Sequence, residues 1–201
     1  MRLRDFERAM AKACFTWEEA RVVAHQDAPA ALRLNLHRWV KAGELVRLRR
    51  GVYAFPRRSL SLPEVVSAIY PPAYVSLESA LHQHGLLPDV PFETTLVTPR
   101  ATRTFRTPQG RFRFHRIDRR LFFGFDTRML LAEPEKAVLD YFYLRGAALR
   151  PAPRFWQEAR FQNLDLLRWP KGDRMAAAFP RGRTQRLWKS LKSYAKTHRH
   201  A

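Results

Sequence analysis

Residues 27–55, DAPAALRLNLHRWVKAGELVRLRRGVYAF, decide how the rest of the chain is read. Asp27 and Pro29 together open a helix, an N-cap residue followed by a proline in the first turn. Leu32, Leu36, Trp39 and Val40 then recur at i, i+4, i+7 and i+8, an apolar stripe of helical period that Gly43 ends. From Leu45 to Phe55 the period drops toward two, and Arg49-Arg50-Gly51 interrupts it. That pattern predicts two short strands joined by a turn. With the stripe facing a core, Ala30, Leu34, His37, Arg38 and Lys41 fall on the outer face of the helix and Arg33 on its flank.

Upstream, Leu3, Phe6, Met10 and Ala13/Cys14 predict an amphipathic helix over residues 3–15. Thr16-Trp17-Glu18-Glu19 has the form of a capping box and starts a short second helix ending near His25. Three helices and a hairpin within residues 1–58 follow the order of a winged helix-turn-helix. In that arrangement the third helix enters a DNA major groove about 12 Å wide and the hairpin lies along the adjacent backbone. Arg33, His37, Arg38 and Lys41 are the candidate groove residues, and Arg47, Arg49 and Arg50 the candidate phosphate contacts of the wing. The competing reading makes them solvated charges on a surface helix and hairpin.

The charge agrees with a polyanionic partner. The chain of 201 residues carries 37 Lys and Arg against 18 Asp and Glu, a formal net charge of +19. Residues 1–58 hold 13 of those cations and 6 of the acids, so the surplus is spread rather than confined to a tail. No stretch approaches the roughly 20 apolar residues that cross a bilayer, and the N-terminus lacks the apolar run of a signal peptide. A cytoplasmic protein without a membrane partner is expected. The single cysteine, Cys14, reads as a buried core thiol.

Residues 59–201 read as a mixed α/β domain, giving an α+β chain of two domains, 1–58 and 59–201. Helices are expected from Ser61 to Tyr70 and from Tyr74 to Gly85, with Pro71-Pro72 breaking them apart. Residues 94–98 read as a buried strand, residues 103–107 and 111–117 as a hairpin around Pro108-Gln109-Gly110, and Leu121–Phe125 as a further strand. Glu133–Leu144 is a helix with Pro134 in its first turn. Two more helical stretches cover about 155–168 and 183–196.

Three blocks together resemble the AbiEi antitoxins of type IV toxin–antitoxin systems. They are Leu45–Tyr53, Tyr74–Leu81 with Gly85-Leu86, and Glu133–Asp140, in the family's order and within residues 1–146. The resemblance implies a winged domain that binds inverted repeats in its own promoter and represses the operon. It also implies a C-terminal domain that opposes a nucleotidyltransferase-like toxin. The His25-Gln26-Asp27 turn lacks the glycine of the tightest helix-turn-helix pattern.

Other motifs admit two readings each. Glu133-Pro134-Glu135-Lys136, with Asp118, Asp126 or Asp140, has the residue types of a metal-dependent nuclease. It also has the acids and proline of a helix N-terminus, which is favoured. Glu78 reads as a helix-starting acid. Phe112, Phe114, Phe122, Phe123 and Phe125 alternate with Arg111, Arg113, His115, Arg116, Arg119 and Arg120, either as a stacking platform or as a sheet with one packed face. Leu187, Leu191 and Tyr194 share one face of the last helix, beside Trp188. That face either docks on the domain or, with its basic side, meets a nucleic acid or a toxin. His82/His84 and His198/His200 alternate and do not chelate well. No phosphate loop, dinucleotide fingerprint, nucleophile elbow or zincin motif is present, so no cofactor, metal or enzymatic activity is expected. An interaction module without operator binding is the remaining alternative.

Overall fold

The computed structural model describes residues 1–149 and 153–197, which form an α+β chain of two compact units. The first unit comprises residues 1–71 and 105–111, and the second residues 72–104 and those from 112 onward.

The first unit runs α1 (Leu3–Ala9), β1 (Cys14–Thr16), α2 (Trp17–Val23), α3 (Pro29–Lys41), β2 (Val46–Arg49), β3 (Val52–Ala54) and α4 (Leu62–Ile69). β3 lies between β1 and β2, antiparallel to both. The sheet and helices enclose Phe6, Met10, Phe15, Ala20, Ala24, Leu32, Leu36, Leu45 and Phe55, with Trp17, Trp39, Val40 and Tyr53 packed at the margin. This element order, with a three-stranded sheet and the β2–β3 hairpin as wing, is a winged helix-turn-helix.

Two local expectations are corrected here. The helix over residues 3–15 stops at Ala9, and β1 replaces its second half. A continued helix would set Phe15 about 13.5 Å along the axis from Phe6. In the fold the two rings are 5.4 Å apart, edge to face, and Phe15 also meets Phe55 at 5.3 Å. Turning the chain therefore joins three aromatics in one core and covers an edge of β3. Asp27 does not cap α3. Ala28 occupies that position without a side-chain bond, while the Asp27 carboxylate accepts from the α-amino group of Met1 at 2.9 and 3.0 Å.

The expected capping box forms. Thr16 Oγ1 accepts from the Glu19 amide at 3.2 Å, and the Glu19 carboxylate accepts from the Thr16 amide at 2.7 Å. Ser61 and Glu64 repeat the arrangement at the start of α4. α4 packs on β1, so the first unit runs to Pro71, past the boundary expected at residue 58.

A second, mixed sheet takes the order β6-β7-β5-β4-β9-β8; most of its residues belong to the second unit, and residues 105–107 of β6 and 110–111 of β7 are counted with the first. Its strands are β4 (Tyr74–Val75), β5 (Thr94–Thr98), β6 (Arg103–Thr107), β7 (Gly110–Arg116), β8 (Phe125–Asp126) and β9 (Leu131–Ala132). The helices are α5 (Leu77–Gln83), α6 (Pro134–Arg145), α7 (Pro153–Glu158), α8 (Trp169–Ala178) and α9 (Arg183–Thr197). α6 packs against α5, α8 and α9.

Three expectations differ from this. The stretch from Tyr74 is a strand before it is a helix, and the chain passes between them through Leu77 at φ 58°. Leu121–Phe125 is mostly irregular, with strand only from Phe125. The helix expected over 155–168 is broken after Glu158 and restarts as α8 at Trp169. His198 and His200 lie outside the described residues.

Candidate nucleic-acid interface

Helix α3 is pinned by its inner face. Leu32 and Leu36 are buried, and Trp39 packs on Phe6 with ring centroids 5.2 Å apart. The same pinning fixes which side chains face outward. Arg33, His37, Arg38 and Lys41 are all exposed, as are Ala30, Ala31 and Leu34. The helix contains three cations and no acid. Among the described residues none of its cations is in an ion pair with a carboxylate.

The wing carries a second cationic group. Arg47 and Arg50 are exposed. Gly51 closes the turn at φ 76°, a left-handed conformation that costs glycine little. Its carbonyl accepts from the Trp17 amide at 2.8 Å, which ties the wing turn to the start of α2.

Arg49 is different from its neighbours. Its Nε donates to the Ile69 carbonyl at 2.7 Å and Nη1 to the Arg50 carbonyl at 3.0 Å. Its guanidinium also lies 5.8 Å from the centre of the Phe105 ring. The side chain is half-buried and its head group binds other parts of the first unit. The bulge between Arg47 and Arg49 explains the difference, because it turns consecutive side chains off simple alternation.

From sequence, Trp17 has no place in the site, and Leu34 falls on the outer face of the helix without a contact role. The Arg33 guanidinium sits 5.0 Å from the centre of the Trp17 ring, so this arginine is positioned by α2. The signal for Trp17 was present in the sequence only as the residue after an N-cap. Leu34 is a large apolar side chain left 48% exposed, between Ala30 and Ala31 toward the start of the helix and His37, Arg38 and Lys41 toward its end.

The sequence segments with the residue types of a nuclease serve the fold. Lys136 and Asp140 are fully buried, ion-paired to each other, and share Tyr74. Tyr74 Oη accepts from Lys136 at 2.8 Å and donates to Asp140 at 2.9 Å, and Ser76 Oγ donates to Asp140 at 2.9 Å. Burial pushes the Lys136 amine down and the Asp140 carboxyl up, each opposed by the other's charge. Glu135 accepts from the Arg168 amide at 2.7 Å, and Glu133 pairs with Lys171 at 2.8 Å. Glu78 is bound by Arg145 at 2.8 Å, so its role exceeds starting α5.

Of the alternating Phe and Arg residues, those of β7 form a sheet with one packed face, while Phe122 and Phe123 are half-buried in irregular chain. Phe112 and Phe114 are buried, and Phe125 stacks on Tyr74 at 4.4 Å. The last helix docks through Leu187, Trp188, Leu191 and Ala195. Its polar side, with Lys189, Lys192 and Lys196, lines a cleft of about 590 Å³ together with Arg181 from the preceding turn and Asp173 of α8, which pairs with Lys192. Cys14 is buried, and burial, with Glu64 and Glu19 nearby, pushes its thiol up to about 12.

Comparison with known proteins agrees with the first unit. Residues 6–56 match the family described as transcriptional regulator, AbiEi antitoxin. No curated protein matches the chain. Among the described residues no helix is long and apolar enough to cross a membrane.

Proposed function

We propose that the protein is a DNA-binding transcription repressor. α3 lies in the major groove with Arg33, His37, Arg38 and Lys41 toward the duplex, and Arg47 and Arg50 hold phosphates from the wing. Arg49 supports the wing from within. The observation that carries this reading is the outward face of α3: exposed, cationic and without an acid, on a unit whose element order is that of a DNA-reading fold.

The finer proposal is that the protein is the antitoxin of a type IV pair and represses its own operon at promoter inverted repeats. Its partner would be a nucleotidyltransferase-like toxin opposed by the second unit. The family match over residues 6–56 and the resemblance of the Tyr74–Leu81 and Glu133–Asp140 blocks support it. The basic cleft between α8 and α9 suits an acidic partner surface.

The test is a gel-shift titration with duplex from upstream of the reading frame, beside co-expression with the product of the adjacent frame. Retarded duplex and rescued growth support both parts. Failure to bind any duplex at ~0.1 M salt, a screening length near 10 Å, overturns the DNA reading. Growth arrest unrelieved by this protein overturns the antitoxin reading alone.

A further inference from the structure

Resting on the DNA reading above, we infer that Leu34, with Ala30, selects thymine in the operator by contact with its C5 methyl group. The first two turns of α3 present Ala30, Ala31, Arg33 and Leu34 outward, and the last two present His37, Arg38 and Lys41. In helix-turn-helix proteins the N-terminal residues of the recognition helix contact base edges. The end of α3 that reaches deepest is therefore its apolar end.

Arg33 is the one hydrogen-bonding side chain among those four, and its guanidinium is held over the Trp17 ring at 5.0 Å. Held back toward α2, it favours a phosphate over a base edge. Ala30, Ala31 and Leu34 remain, all apolar, and Ala30 and Leu34 lie one helical turn apart on a single line. An apolar side chain has no donor or acceptor to offer, and the major groove has one apolar feature to read, the thymine methyl. Leu34 is 48% exposed although the core of the same unit buries Leu32 and Leu36 completely or nearly so. An exposed leucine on a face otherwise adapted to a polyanion has no solvation benefit. Covering it with a methyl group in the complex supplies one.

Replacing thymine by uracil removes that methyl and leaves every hydrogen-bonding group in place. Duplex is first selected from a randomised library by the full-length protein. Each thymine of the recovered sequence is then changed singly to uracil, and binding is measured by fluorescence anisotropy at fixed salt. At one or two thymines the wild type loses about 4-fold in affinity, the value of one buried methyl at about 0.8 kcal/mol. Leu34→Ala binds the selected duplex about 4-fold more weakly, the value of the same contact removed from the protein side, and loses the discrimination at those same thymines. Selected duplex in which every uracil is silent overturns the inference and leaves the DNA reading intact. So does a methyl effect unchanged in Leu34→Ala, which would assign it to another residue. No enrichment and no duplex binding would remove both.

Discussion

The Arg33 guanidinium stands 5.0 Å from the centre of the Trp17 ring, while the Trp17 amide donates to the Gly51 carbonyl at 2.8 Å. One residue thus links α3, the start of α2 and the wing turn. A cation–π contact at a partly exposed site contributes about 0.5–1 kcal/mol, and the aromatic body adds burial. Trp17→Ala should lower unfolding stability by about 1–3 kcal/mol in urea titration and weaken binding to every duplex. An unchanged urea midpoint would show that the linkage carries no weight.

The wing arginines should separate by role. Arg47→Ala and Arg50→Ala should each flatten the dependence of log K on log salt by about 0.9, the value of one phosphate. Arg49→Ala should leave that slope in place and instead lower stability by about 1–3 kcal/mol, because the Ile69 and Arg50 carbonyls lose their donor. A flattened slope with unchanged stability would return Arg49 to the phosphate contacts.

The Lys136–Asp140 pair is sealed, so removing one partner strands the other. Asp140→Asn should cost about 3–5 kcal/mol, and the fourfold change Lys136→Met, Asp140→Leu, Tyr74→Phe and Ser76→Ala, which also removes the hydroxyls the pair satisfies, should recover most of it. Urea unfolding of the three proteins checks this. A single variant as stable as the wild type would contradict the buried geometry and reopen a chemical role for the segment.

His115 links the second unit to pH. Burial, with Arg145 and Arg113 beside it, lowers its pKa from the ordinary 6.5 to about 4. A depressed folded value means that the unfolded chain takes up the proton first. Stability is then full above about 6.5 and falls as pH drops toward 4, by at most about 3 kcal/mol. His115→Gln should remove that portion of the acid slope in thermal unfolding between these values. A slope of the same steepness in the variant would assign it elsewhere.

Much of the first unit was legible because its signals are local. The period-3.6 stripe of Leu32, Leu36, Trp39 and Val40, the Thr16/Glu19 box and the Gly51 turn each depend on residues close together in the chain. β1 was hidden because Cys14–Thr16 becomes a strand only by pairing with residues 52–54, a long-range event without periodic trace. The two-residue strands β4, β8 and β9 were hidden for the same reason. At the site, the outer face of α3 followed from geometry alone. Arg49 did not, since the bulge that redirects it and the Ile69 carbonyl that receives it are both tertiary. The meaning of Lys136 was likewise set by Tyr74, 62 positions away.

The central claim is that the exposed face of α3 binds duplex in its major groove. The most direct measurement compares wild type and Arg38→Ala on the library-selected duplex and on a scrambled duplex, by anisotropy at matched salt. If Arg38 reads a base, its loss costs about 1–3 kcal/mol on the selected duplex and far less on the scrambled one. Equal affinity of both proteins for both duplexes would contradict the account.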